Sequence, residues 1–153
     1  MRTVFSLLVM LSLTIGAMAQ NTVQVSGSTG STSWTANNTY ILNGYVFVSA
    51  GQVLTIEAGT VIKGAAGSGA DASALIIAKG GQIFANGTEA APIVFTYEAD
   101  PLDGSVAYDT RGQWGGVIIL GDASTNFGGP AQIEGIPADL SLIHISEPTR
   151  REG

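Results

Sequence analysis

The chain has 153 residues, of which twelve are acidic, six are basic, one is histidine and none is cysteine. Without cysteine, disulfide bonds and thiolate chemistry are excluded. Residues 20–139 carry three cations, Lys63, Lys79 and Arg111, against ten carboxylates, which leaves a net charge of −7 and no basic stripe that nucleic acid would need.

The N-terminus has the pattern of a secretory signal peptide. Arg2 precedes an apolar run over residues 4–16, and a small-x-small motif ends at Ala19. The apolar run is short for a membrane span, although a buried N-terminal helix is an alternative. We therefore predict that residues 1–19 are cleaved off before Gln20. The protein is then secreted or on the outer cell surface, with no membrane span after cleavage.

Two further regions follow the signal peptide. Residues 20–39 are rich in Ser, Thr, Gly and Asn, which predicts a flexible lead-in or a polar N-terminal cap. Residues 40–139 contain short runs rich in Val, Ile, Phe, Tyr and Thr, separated by glycine, which predict β-strands. The absence of a helical apolar period predicts an all-β protein. The expected strands lie at residues 45–48, 53–57, 60–63, 74–78, 82–85, 92–97 and 116–120.

A segment that begins at Leu54 returns 21 residues later, beginning at Leu75. Units this short bury their apolar faces only by stacking, so the repeat predicts a right-handed parallel β-helix of about three strands per coil. An antiparallel β-sandwich is the competing interpretation. In the β-helix, Leu54 is expected to stack on Leu75 and Ile56 on Ile77. The matching positions are Leu54 and Leu75, Ile56 and Ile77, Gly59 and Gly80, and Ile62 and Ile83.

Two stretches interrupt the repeat and predict loops that protrude from the solenoid, at residues 64–73 and 98–112. The second loop carries Asp100, Asp103 and Asp109, whose oxygens would suit Ca²⁺ if they converged. The same loop would offer an acid/base pair for glycoside cleavage if two carboxylates had the required separation. Solvated carboxylates with neither role are the third possibility. No catalytic, cofactor-binding or metal-binding residue is therefore assigned.

The two tryptophans, Trp34 and Trp114, are candidates for stacking on sugar rings. Trp114 precedes Gly115 and Gly116, which favours packing over a glycine corner instead. Residues 20–139 contain neither histidine nor cysteine, so a nucleophilic triad that uses either residue is excluded there.

Two blocks of the sequence resemble a known family of exported β-helix proteins. They are Thr55-Ile56-Glu57-Ala58-Gly59-Thr60-Val61-Ile62-Lys63-Gly64 and Gly112-Gln113-Trp114-Gly115-Gly116-Val117-Ile118-Ile119-Leu120-Gly121. The family is common in Bacteroidota-type bacteria, and its members are long, secreted and mostly uncharacterised. The resemblance, which runs from about Trp34 to Glu134, implies a secreted β-helix and supplies no catalytic residues.

Residues 140–150 resemble the translation of a sequencing adapter, because a codon string for them matches transposon-adapter DNA. We therefore expect residues 140–153 to be an artefact and the natural chain to continue beyond Asp139, as the N-terminal part of a longer protein. His144 lies inside this segment and receives no functional role.

Two functions remain open from the sequence. One is an exported, non-catalytic β-solenoid with a structural, adhesive or polysaccharide-contacting role at the cell surface. The other is a polysaccharide-degrading lyase or hydrolase whose catalytic residues lie beyond residue 139. The first is favoured because residues 20–139 show no convergent acid, base or metal cluster.

Overall fold

The computed structural model describes residues 20–121, apart from the side chain of residue 70. The predicted signal peptide, the adapter-like segment and residues 122–139 lie outside the described residues. The nine strands are β1 (Asn21–Ser28), β2 (Thr32–Trp34), β3 (Asn38–Val48), β4 (Val53–Ile56), β5 (Val61–Gly64), β6 (Ala74–Ile77), β7 (Gln82–Ala85), β8 (Val94–Tyr97) and β9 (Gly116–Ile119). The described chain has one helical turn, a 3-10 helix at Gly69–Asp71. No helix among the described residues is long and apolar enough to cross a membrane.

The strands wind around a common core on three faces. The first face stacks β1, the first half of β3, β5 and β8, while the second stacks the end of β1, the second half of β3, β6 and β9. The third face stacks β2, β4 and β7. Every ladder between the described strands is parallel. The predicted parallel β-helix is confirmed, and the antiparallel sandwich is wrong.

The first two coils turn from the first face to the second without leaving the strand. Strands β1 and β3 each bend there, at Gly27 and Gly44, which have φ angles of +65° and +68°. Glycine adopts these angles without the steric penalty that a Cβ would bring. In the next coil the two faces belong to separate strands, β5 and β6, because a loop has been inserted at the bend.

The predicted stacking of Leu54 on Leu75, and of Ile56 on Ile77, is wrong. Leu54 pairs with Ile83 on the third face, whereas Leu75 pairs with Val46 on the second. Paired positions are 22 residues apart from Trp34 to Ile56 but 29 residues apart from Leu54 to Ile83, because the loop after β5 lengthens the coil.

The 21-residue repeat therefore compares two different corners of the solenoid and not two coils. Each corner follows an apolar strand and has a glycine in the left-handed region, Gly59 at φ +85° and Gly80 at φ +77°. Since every strand of a β-helix ends at such a turn, different corners produce similar strand–glycine–strand sequences.

Alternate residues of each strand point inward and form the main core. This core contains buried aliphatic side chains from all three faces and a stacked aromatic pair, Trp34 and Tyr40, with ring centroids 4.7 Å apart. Its members are Trp34, Tyr40, Leu42, Val46, Val48, Leu54, Ile56, Ile62, Leu75 and Ile77. A second cluster around Ala74, Ile76 and Leu120 includes Phe47 and Ile118 at its margin.

The expectation of a flexible lead-in over residues 20–39 is wrong, because β1 and β2 are the first coil. Val23 and Val25 pack against the main core from β1, while Asn21, Thr22 and Gln24 are exposed. Serine, threonine and asparagine are common in loops, which is why the segment looked unstructured. Here their backbone groups join the parallel ladder with β3, and the polar side chains face outward. The alternative expectation of a polar cap on the first coil stays a prediction.

Candidate functional site: a loop-lined cleft at one corner

Both predicted loops leave the solenoid at the same corner, between the first and second faces. One joins β5 to β6 and the other joins β8 to β9, in consecutive coils. In the coil below, β3 passes this corner as continuous strand at Gly44. Strand stacking therefore places the two insertions one above the other, and they form the largest departure from a smooth solenoid in the described chain.

Trp114 closes this corner by packing on Gly64. A Cβ added to Gly64 would lie only 2.6–2.8 Å from Cε3, Cβ and Cδ2 of Trp114. The indole is half-buried and also contacts the main core. Trp114 was expected to pack over the corner at Gly115 and Gly116, but the glycine beneath it is Gly64, one coil below. Gly115 instead lies against Ser73, whose carbonyl oxygen accepts a hydrogen bond from the Gly115 N–H at 2.7 Å.

Lys63 fixes the start of the longer loop. Its Nζ donates to the carbonyl oxygen of Asp100 at 2.5 Å and to that of Glu98 at 3.3 Å. Lys63 lies on β5, beneath β8, so one side chain ties the loop to the coil below. Its charge therefore stabilises backbone carbonyls, and two of the ammonium's three N–H groups are used for this.

The Asp100 carboxylate is held by β8 and by its own loop. The Thr96 hydroxyl donates to Asp100 Oδ2 at 2.6 Å, and the Leu102 N–H donates to Oδ1 at 2.8 Å. These two hydrogen bonds, first from Thr96 and then from Leu102, lower the pKa of Asp100 below its ordinary value. Lys63 makes a smaller contribution in the same direction. Asp100 is therefore a carboxylate anion at neutral pH.

The other two candidate carboxylates do not join Asp100. Asp103 accepts a hydrogen bond from the Ser105 N–H at 2.9 Å, and hydrogen bonds from Ser105 lower its pKa. Asp109 is exposed, and its carbonyl oxygen accepts a hydrogen bond from Arg111 Nε at 3.1 Å. Within residues 20–121, no three acidic or histidine side chains form a group that could hold a metal ion. The geometry gives the calcium hypothesis no support.

A cleft of about 320 Å³ opens between the long loop and β8. Its lining includes one tryptophan, one aspartate, one arginine and two threonines. The lining residues are Phe95, Thr96, Tyr97, Asp100, Val106, Thr110, Arg111, Gly112, Gln113 and Trp114. A smaller cavity of about 150 Å³ adjoins it and shares Tyr97 and Gln113 with it.

Comparison with protein families gives one result. A family model described as a pectate-lyase-like β-helix domain matches residues 26–139. The chain belongs to this family. The β-helix family expected from the two sequence blocks is confirmed at that level, while the bacterial group and the adapter-like tail stay predictions. No curated protein and no solved structure matches the chain.

In this pectate-lyase-like β-helix domain, the residues that line the described cleft suit ligand binding better than acid/base catalysis. Asp100 is the one carboxylate among the described lining residues, and its lowered pKa makes it a poor proton donor at neutral pH. Glycoside hydrolysis needs two carboxylates on opposite sides of the bond. The described cleft therefore lacks the pair that the sequence left open.

The sequence identified some of these residues and missed others. Trp34 was a candidate for sugar stacking, but it is 3% exposed and stacked on Tyr40, so it cannot meet a ligand. Thr96 and Lys63 were not identified as parts of the site. The Asp100-Pro101 dipeptide does signal a turn, yet nothing near Lys63 in the sequence indicates that its ammonium reaches a loop 37 residues away.

Proposed function

We propose that this pectate-lyase-like β-helix domain is an exported, non-catalytic protein that contacts polysaccharide through the cleft beside the long loop. The observation that carries the proposal is the composition of that cleft. Trp114 lines the cleft together with the polar residues Thr96, Thr110, Asp100 and Arg111. Sugar rings have apolar faces that stack on aromatic rings and hydroxyl edges that hydrogen-bond to such polar groups.

The cleft is also built to keep its shape. Lys63 ties the loop to the coil below, and Thr96, on β8, donates a hydrogen bond to the Asp100 carboxylate. Trp114 is fixed by Gly64 and by its contact with the core. Groups that are already ordered lose little conformational freedom when a ligand binds. Tyr108, on the same loop, is fully exposed.

Two observations support a non-catalytic role over the alternative of a lyase or hydrolase. Asp100 is the sole carboxylate among the described lining residues, and the described chain contains no histidine or cysteine that would act as base or nucleophile. Export is supported by the signal-like pattern that ends at Ala19.

The test is binding of the expressed chain to a panel of soluble and insoluble polysaccharides, measured by affinity electrophoresis and calorimetry. We expect saturable binding to at least one polymer. Arg111→Gln and Trp114→Phe should weaken it about tenfold or more, since each removes a contact in the cleft while keeping most of the side chain's volume. Thr55→Ala, an exposed change on the third face, is the matched control and should bind like the wild type.

Two results would overturn the proposal. One is the absence of binding to every polymer while circular dichroism shows a folded chain. The other is release of unsaturated or reducing ends from a polymer, lost in the Arg111→Gln variant, which would make the domain an enzyme.

A further inference from the structure

We propose that the polysaccharide bound in this cleft is neutral and that uronate chains are rejected. The inference rests on the proposed function and adds the chemical class of the ligand. It rests on the charged groups around the cleft. Acidic groups outnumber basic ones there, and the basic groups differ in whether they can contact a ligand.

The long loop is strongly acidic. Residues 98–112 contain Glu98, Asp100, Asp103 and Asp109 against the single cation Arg111. Asp100 lines the cleft itself, and Glu98 lines the adjoining cavity. A uronate chain carries one carboxylate on each sugar, so its charges would enter a region of like charge. At physiological ionic strength, charges within about 8 Å are not fully screened, and the loop carboxylates therefore oppose such a chain.

The nearest lysine, Lys63, offsets this acidity only in part, through its Coulombic effect on Asp100. Lys63 directs its ammonium at the carbonyl oxygens of Asp100 and Glu98, where it holds the loop in place. Lys79, the remaining cation of the described chain, does not line the cleft or the adjoining cavity. Arg111 alone is left to meet an anionic ligand.

A neutral sugar, in contrast, finds partners of both kinds. Each Asp100 oxygen accepts one hydrogen bond, Oδ2 from Thr96 on β8 and Oδ1 from Leu102 on the loop, and has further lone pairs for sugar hydroxyl groups. Arg111 donates through Nε to the Asp109 carbonyl oxygen, and its other N–H groups have no partner within residues 20–121. A hydroxyl both donates and accepts, so it can bridge a carboxylate and a guanidinium, whereas a ligand carboxylate can only accept.

The test compares a polymer with its own carboxylated form. The neutral polymer that binds best in the panel is oxidised at C6 to the uronate, and both forms are titrated into the expressed chain with a chelator present. We expect the uronate to bind at least tenfold more weakly. Asp100→Asn should reduce that difference by threefold or more, since it removes the charge and keeps the shape. Asp71→Asn, on the helical turn of the other loop, is the charge-matched control and should leave the difference unchanged.

The outcomes separate the two proposals. If no polymer binds, the proposed function fails. If polymers bind but the uronate binds as tightly as its neutral parent, the function stands and the neutral class is wrong. Equal affinities that arise only when Ca²⁺ replaces the chelator would also overturn the inference, because a cation would then bridge the loop carboxylates to the ligand.

Discussion

Replacing Gly64 by alanine should destabilise the protein by about 1–3 kcal/mol, the usual cost of overpacking a tight site. The new Cβ would lie 2.6–2.8 Å from three atoms of Trp114. Moving those atoms to 3.4 Å, where ordinary contact begins, takes about 0.6–0.8 Å. One of the three is the Trp114 Cβ, which is fixed to the backbone, so a side-chain rotation alone cannot relieve the contact.

A double-mutant cycle isolates this contact. The Gly64→Ala change is measured by urea unfolding, first in the wild type and then in a Trp114→Gly background, which removes the Trp114 Cβ together with the indole. Without these atoms, the same methyl group should cost nothing or stabilise by up to about 1 kcal/mol, because alanine has less freedom than glycine in the unfolded chain. The coupling free energy should therefore be at least about 1 kcal/mol. An equal cost in both backgrounds would show that Trp114 does not pack on Gly64 and would refute this account of the corner.

Three further predictions follow from the fold, the loop and the N-terminus. Leu54→Ala removes a fully buried side chain and should destabilise the protein by about 2–5 kcal/mol in an unfolding assay. Thr55→Ala changes the exposed neighbouring residue and should alter stability by less than about 0.5 kcal/mol in the same assay. Equal effects would contradict the assignment of Leu54 as inward-facing and Thr55 as outward-facing. Thr96→Val removes the main cause of the lowered pKa of Asp100, so the pKa of this carboxyl should rise toward its ordinary value when followed by NMR. Because the pKa is lowered in the folded state, this stabilisation is present above the unfolded value and is lost as pH falls through the folded one; an unchanged titration in Thr96→Val would be inconsistent with the hydrogen bond. Mass spectrometry of secreted material should find Gln20 at the N-terminus, and an intact Met1 would argue against export through this signal.

The strands were predictable because strand formation here depends on residues that are close together in the sequence. Val, Ile, Phe and Tyr alternate with polar residues and stop at glycine, and this pattern does not depend on which strand lies next to which. The run at residues 82–85 has the bounds of β7. The first coil was missed because β1 contains only two apolar residues, Val23 and Val25, between polar ones. Its strand conformation depends on the ladder that β3 offers it.

The sequence by itself determined that the chain is an all-β solenoid and where its two loops begin, because glycine corners and apolar alternation act within a few residues. Only the tertiary structure decided the register, since the loop inserted between β5 and β6 places Leu75 on a different face from Leu54 without altering the local pattern. The site depended on that register. Gly64 contacts Trp114, 50 positions away, and Lys63 contacts the Asp100 carbonyl, 37 positions away, because the stacking of coils brings these residues together. Such contacts produce no periodic pattern in the sequence.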